Sequence, residues 1–182
     1  MLKKTLQHPK ANNKLRVEFV EKINRYQSQG RPIIYLDESG FAHDMPRTRG
    51  YTLRGQRCYG KHNWHAKGRV NVIGALLGKL LITVSLFNCN VDSDVFHQWV
   101  THDLLVNVPP ASIIVMDNAS FHKRSDIKKT IIGAGHQLEY LPPYSPDLNP
   151  IEHKWAQAKA IRRKERCDIN TLFVKHIKYD KL

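Results

Sequence analysis

Cysteine is scarce and unpaired in this chain. Cys58, Cys89 and Cys167 are the only three, they lie far apart, and no Cys-x-x-Cys occurs. An odd, scattered set argues against a disulfide framework and points to a reducing compartment. Long hydrophobic runs are missing too. The longest apolar stretch, Val70 to Phe87, is interrupted by Asn71, Gly74, Gly78, Lys79, Thr83 and Ser85, which excludes a membrane span. No apolar core follows the first lysines, so no signal peptide is expected. Acidic residues are the most telling shortage. There are 16 Asp and Glu against 29 Lys and Arg, a formal net charge of +13, and none is acidic from Met45 to Val91. A chain this basic calls for a polyanionic partner, nucleic acid first.

What is present suffices for one folded domain. The 182 residues are 41% hydrophobic and 25% charged, which is globular rather than disordered. Residues 1–13 read as a polar, basic arm. Leu15, Phe19, Ile23 and Tyr26 recur at helical spacing, so a helix is expected from Lys14 to Gln29 with Gly30 as its stop. Pro32 to Asp37 reads as a buried strand that ends at Asp37 in a polar turn. The acid-free stretch then carries Arg47, Arg49, Arg54, Arg57, Lys61, Lys67, Arg69 and Lys79, with Tyr51, Tyr59 and Trp64 among them. Basic residues, aromatics and glycine turns together suit a phosphate backbone, though a solvated loop reads the same way. His62 and His65 lack the Cys or His partners of a metal site and are read as surface residues.

Two strands are expected over Arg69–Gly78 and Lys79–Asn88, joined as a hairpin. Ser93 suits an N-cap, and Phe96, Trp99, Val100 and Leu104 give the helix after it one apolar face. Ser112 to Met116 is almost wholly apolar, as in a central strand, and ends in Asp117. A helical segment with Ile127 and Ile131 inward follows, then a short strand from Gln137 to Leu141. Four prolines fall within Leu141 to Pro150 and restrict the backbone there. Asn149 is expected to cap a helix that starts with Pro150, places Glu152 at its third position and runs to about Arg166. Ile151, Trp155 and Ala158 would be its buried stripe, and Lys154, Lys159, Arg162, Arg163, Lys164 and Arg166 its basic face.

Three carboxylates stand out from this outline. Asp37 and Asp117 end apolar strands, where open sheets present ligand sites, and Glu152 opens a helix that the chain can bring beside them. Each has a plain alternative: a turn residue for the aspartates, a capping box for Glu152. Together they offer the hard oxygen ligands that Mg²⁺ prefers, and a pair of such ions can activate an attacking oxygen and stabilise a leaving one.

The segments Leu36-Asp-Glu-Ser-Gly-Phe41, Met116-Asp-Asn-Ala-Ser-Phe-His-Lys123 and Leu141-Pro-Pro-Tyr-Ser-Pro-Asp-Leu-Asn-Pro-Ile-Glu152 closely resemble the mariner-like superfamily of transposases, most of all its bacterial insertion-sequence branch. The 34 residues between Asp117 and Glu152 fit that superfamily. The resemblance implies an α/β, RNase H-like fold: a central mixed five-stranded sheet flanked by helices. It divides the chain into a basic arm with a linking helix (1–30) and a catalytic domain (31–182). It implies an Asp-Asp-Glu triad of Asp37, Asp117 and Glu152, both catalytic and metal-binding, with two Mg²⁺ ions, Mn²⁺ substituting.

The implied reaction is hydrolysis at the ends of a DNA element, followed by attack of the freed 3′-hydroxyl on target DNA at a TA dinucleotide. No protein nucleophile is needed, so Ser39, Tyr144 and Ser145 are given no such role. The implied partner is double-stranded DNA, bound by a homodimer in the bacterial cytoplasm at the nucleoid. The family's N-terminal helix-turn-helix region has no counterpart here beyond the arm and one helix, so a separately encoded one is a further expected partner. Asp147 and Glu38 are rivals to Glu152 and Asp37, and are set aside on motif position. Asn118, His122 and Asn149 are left between ligand support, phosphate contact and structure. The alternatives are a non-cutting DNA-binding remnant acting as a repressor or inhibitor, and a ribonuclease H-like nuclease.

Overall fold

The computed structural model describes residues 9–44, 53–57, 59 and 68–177. Arg47, Arg49, Lys61 and Lys67 of the basic stretch lie outside them, as do the start of the arm, Tyr51, Trp64, and the surface reading of His62 and His65.

Five strands form one mixed sheet in the order β3-β2-β1-β4-β5. They are β1 (Ile33–Ala42), β2 (Arg69–Leu77), β3 (Leu80–Phe87), β4 (Ile113–Met116) and β5 (Gln137–Tyr140). β1, β4 and β5 are parallel, whereas β2 and β3 form the expected hairpin, with β2 antiparallel to β1. β1 does not end at Asp37. β2 pairs with it as far as Ala42↔Arg69, so Asp37 lies inside the strand, opposite Gly74. The parallel ladder with β4 stops earlier, at Tyr35↔Val115. Asp37 and Asp117 each stand two residues beyond that last rung, on adjoining chain segments.

Alternation along β1 sends successive side chains to opposite faces. Ile34 and Leu36 join Ile73, Ala75, Ile114 and Met116 under helices α2 (Ser93–Trp99) and α4 (Ser125–Gly133). Phe96, Trp99, Val100 and Leu104 are all buried there as their spacing predicts. The first helix of this pair is capped by the Asp92 carboxylate rather than by Ser93, which is its first residue. It runs on through Val100–Leu104 into a last turn, α3 (Leu105–Asn107).

The odd-numbered residues of β1 face the other layer. Helix α1 (Asn13–Ser28) packs Phe19 and Ile23 on Ile33, Ile113, Val115 and Leu141. Asn12 caps it, and Gly30, at φ +70°, supplies the left-handed turn after it. Leu15, expected inward, is exposed, and the helix makes its buried contacts further on, at Phe19 and Ile23. Helix α5 (Ile151–Glu165) buries Ile151, Trp155 and Ala158 with Phe41, Val70 and Val72, and a C-terminal turn, α6 (Ile169–Thr171), leads to Leu172 and Phe173 in the same cluster.

Arg162 leaves the basic face to which its spacing assigned it. It is buried, and its guanidinium donates to the carbonyls of Ala42 (2.5 Å), His43 (2.9 Å) and Cys167 (3.2 Å). Carbonyl partners take the place of a counter-ion, and bonds from a charged donor are the stronger kind.

Candidate catalytic pocket

Asp37, Asp117 and Glu152 line one pocket of about 270 Å³, together with Asn118, Ala119, Asn149 and the wall Leu141-Pro142-Pro143-Tyr144-Ser145-Pro146. Three separate elements deliver the carboxylates. β1 carries Asp37, the turn after β4 carries Asp117, and the first turn of α5 carries Glu152. The proline-rich segment closes one side. Tyr144 sits within it at φ +56°, a left-handed conformation that a non-glycine residue takes only when its neighbours enforce it.

The three acids differ in setting. Asp37 is buried, and burial, then the charges of Glu152 and Glu38, push its carboxyl up to about 8. The indole N–H of Trp155 donates to Asp37 Oδ2 at 3.1 Å. That ring lies against β2 at Gly74, where a Cβ would meet Trp155 Cη2 at 2.6 Å. Asp117 is half exposed and heavily bonded. Its Oδ1 faces His122 Nδ1 at 2.6 Å and accepts from the Ala119 N–H at 2.8 Å. The His122 bond, ahead of the other causes, holds the Asp117 carboxyl below the ordinary range. Glu152 is exposed at the pocket mouth.

His122 answers a question the sequence left open. It is buried, and its Nε2 meets Glu38 Oε1 at 2.8 Å while Nδ1 meets Asp117. Burial pulls its pKa down, but the bonds to Asp117 and Glu38 outweigh burial and push it up to about 9. β4 has ended by Met116, so the turn that follows lets one imidazole bridge Asp117 of the pocket and Glu38 of the opposite face of β1. Glu38, the rival to Asp37, is thereby occupied on that face. Asp147, the rival to Glu152, does not line the pocket; Arg16 on α1 takes it with two bonds of 2.9 and 2.5 Å.

Asn149 is not the helix cap. α5 begins one residue later than expected, with Pro150 at its cap, and no described side chain caps it. Glu152 is therefore at the second helical position rather than the third. Asn149 instead donates its amide N–H to the Leu36 carbonyl at 3.3 Å, and its buried Oδ1 has no partner among the described residues. Asn118 likewise ties the Asp117 turn to the Leu141 carbonyl. Among the described residues no three His, Cys, Asp or Glu side chains converge tightly enough to form a ready-made cation cage.

Trp155 is the residue that spacing assigned to the core alone. A buried indole N–H needs an acceptor, and Trp155 lies one helical turn from Glu152. Those two facts were the available signal.

Solved structures with this architecture include Mos1 transposases. The chain matches the Mos1 strand transfer complex at 21% identity and TM-score 0.68, covering 88% of this chain and 52% of that one. It matches a pre-cleavage Mos1 transpososome at 18% identity and TM-score 0.68, covering 100% and 61%. The Mos1 catalytic domain with raltegravir and Mg matches at 15% identity and TM-score 0.61, covering 97% and 88%. The chain thus spans about half the length of the longer Mos1 chains it matches. At these identities the likeness defines the fold, which is RNase H-like. Comparison with curated proteins gives no match. The sequence model of one family, described as DDE superfamily endonuclease, matches residues 32–171. Across three quarters of its length, and with the fold that goes with it, the chain belongs to the DDE superfamily endonucleases.

Proposed function

We propose that this chain is the catalytic domain of a DNA transposase. It hydrolyses phosphodiester bonds at the ends of a DNA element and joins the freed 3′-hydroxyl to target DNA. The observation that carries this reading is the meeting of Asp37, Asp117 and Glu152 in one pocket of a strongly basic family member.

The pocket suits a hard divalent cation, Mg²⁺ or Mn²⁺. All three groups are carboxylates, and one of them retains a proton to about pH 8 chiefly because it is buried beside other acids. A cation held by these carboxylates would remove that repulsion. The Mos1 likenesses include paired-end complexes with Mn and with Mg. Asp37, Asp117 and Glu152 would hold two such ions, which supply activation of the attacking oxygen and relief of charge on the leaving one.

The chain's own residues prepare that chemistry. Asp117, held ionised by His122, needs to lose no proton before binding a cation. Asp37 would give up its proton on taking a cation, so binding should tighten as pH rises toward 8. Trp155 occupies one oxygen of Asp37. Leu141, Pro142, Pro143 and Pro146 narrow the solvent on one side, which strengthens every charge interaction beside them. Double-stranded DNA, with a TA target, is the proposed substrate. A homodimer would bring two element ends together, and a helix-turn-helix region would read them. The place of action would be the bacterial cytoplasm; no described helix is long and apolar enough to cross a membrane.

Nicking of a supercoiled plasmid tests the reading. The parent should nick in Mg²⁺ or Mn²⁺, and Asp117→Asn should not. Nicking that needs no metal, or that survives in Asp117→Asn, overturns it. Metal-indifferent DNA binding without nicking would favour the repressor reading instead.

A further inference from the structure

We infer that Trp155 is a positioning residue for the cation site, and that the bare backbone of Gly74 is what admits it. The inference rests on the proposed role of Asp37 and Glu152 and goes beyond it by naming what sets their geometry.

Asp37 comes from a strand and Glu152 from a helix 115 residues later. Something must fix one against the other. Trp155 is three residues beyond Glu152, on the same side of α5 within one turn. Its indole N–H ends on Asp37 Oδ2. The ring is 1% exposed, and Phe41 and Phe173 meet it edge-on, with centroids 6.4 and 6.5 Å away. Its outer edge rests on the backbone of Gly74, the residue paired with Asp37 across the β1–β2 ladder. One rigid side chain therefore spans from β2, over β1, to the carboxylate. The indole bond to Oδ2 thereby chooses the rotation at which the Asp37 carboxylate meets the pocket. An aromatic ring locked on three sides fixes that choice without adding a charge.

Partners of this outer kind typically change cation affinity by about 10- to 100-fold. Two substitutions attack the contact from opposite ends. Trp155→Phe keeps a ring and removes the N–H. Gly74→Ala keeps the indole and pushes it away, because the new methyl would stand 2.6 Å from Cη2. Mn²⁺ binding to the full chain, measured by calorimetry, should weaken at least about 10-fold in both. The double variant separates positioning from packing. Phenylalanine lacks the outer indole ring, so the methyl added by Gly74→Ala fits the space it leaves, and the melting temperature should recover above either single variant. Cation affinity should stay weak, since the N–H is still absent. Affinity that recovers along with the melting temperature would assign Trp155 to packing alone, as would a Trp155→Phe affinity within about twofold of the parent, well short of the expected loss.

If a single variant does not melt cooperatively, the parent alone decides. Its Trp155 indole N–H resonance should shift with Mg²⁺ along the binding curve, and an unmoved resonance overturns the inference. Asp117→Asn is measured beside these. Binding by the parent that is lost in Asp117→Asn upholds the site even if Trp155 proves irrelevant. No binding by the parent overturns the site and this inference together.

Discussion

Asp37 and Asp117 occupy equivalent places, two residues past the last shared rung of adjoining parallel strands, yet they are opposite in character. Asp37 is sealed between α5 and the sheet, with a carboxyl pushed up to about 8 mainly by burial. Asp117 stands half in solvent, its carboxyl held below the ordinary range mainly by His122. Identical side chains at matching register have diverged through what stands next to them. One half of the pocket is built into the core and loaded with like charge; the other is a solvated turn stitched together by hydrogen bonds. A cation should therefore matter most to the Asp37 half, and His122 most to the other.

The largest effect should come from removing either aspartate's charge. Asp37→Asn and Asp117→Asn should each lower metal-dependent nicking by at least about 10²-fold, the scale on which a single preorganised charge-stabilising group acts. Their stabilities should part ways. Without metal at about pH 8, the value to which burial raises Asp37, Asp37→Asn should melt higher than the parent and Asp117→Asn lower, by calorimetry or circular dichroism. Equal shifts in the same direction would erase the contrast.

The pH dependence of stability sharpens it. Asp37 keeps its proton in the folded state up to about 8, whereas the unfolded chain loses it near 3.8. The folded state binds the extra proton, so metal-free stability should fall as pH rises between those values, by up to about 1.4 kcal/mol per pH unit. Asp117 acts the other way: its contribution is present above the unfolded value and lost as pH falls through its lowered one. His122, raised from 6.5 to about 9, adds a second fall that begins only above 6.5. Melting curves from about pH 4.5 to 6.5 thus carry the fall from Asp37 against a rise from His136, whose pKa burial lowers from 6.5, and the fall should be lost in Asp37→Asn and reduced in saturating Mg²⁺. A parent whose slope matches that of Asp37→Asn would mean that Asp37 is not held protonated.

His122→Gln should be milder. It leaves Glu38 and Asp117 without their shared partner, and loss of buried hydrogen bonds to charged groups costs about 1.5–3 kcal/mol. Nicking should fall about 10-fold, the lower end for a residue that orients a ligand, with part recovered at higher Mn²⁺. The smallest effect belongs to Asp147. Its pair with Arg16 lies near the surface, where ion pairs contribute less than about 1 kcal/mol. Asp147→Asn should nick within about twofold of the parent, whereas Glu152→Gln should lose nicking on the Asp37 scale. The reverse outcome would exchange the two acids' roles.

Much of this fold was legible before any coordinates. The helical face of Phe96, Trp99, Val100 and Leu104, the hairpin around Gly78 and the all-apolar β4 follow from periodicity, because a layered sheet buries those faces completely. Where β1 ends was not legible. Asp-Glu-Ser-Gly reads locally as a turn, and only pairing with β2, a contact between distant segments, carries the strand on to Ala42. Asn149 was misread for a related reason. Its sequence neighbours describe a cap, but the Leu36 carbonyl across the pocket is the partner that its amide finds. The three carboxylates could be picked out from motif positions; that His122, Trp155 and Gly74 support two of them depends on which side chains the sheet brings face to face.

Helix α5 has one more property, seen by treating it as a beam. Near its first turn, Asn149 and Trp155 fasten it to Leu36 and Asp37; near its last, Arg162 fastens it to Ala42 and His43. All four anchor points lie on or just beyond one strand. Fifteen residues of helix, about 22 Å at 1.5 Å each, are clamped at both ends to a single rail. A beam held this way can neither slide nor roll without releasing both clamps, so the position of Glu152 relative to Asp37 is set by the length of β1. The clearance between them is a tolerance machined into the strand.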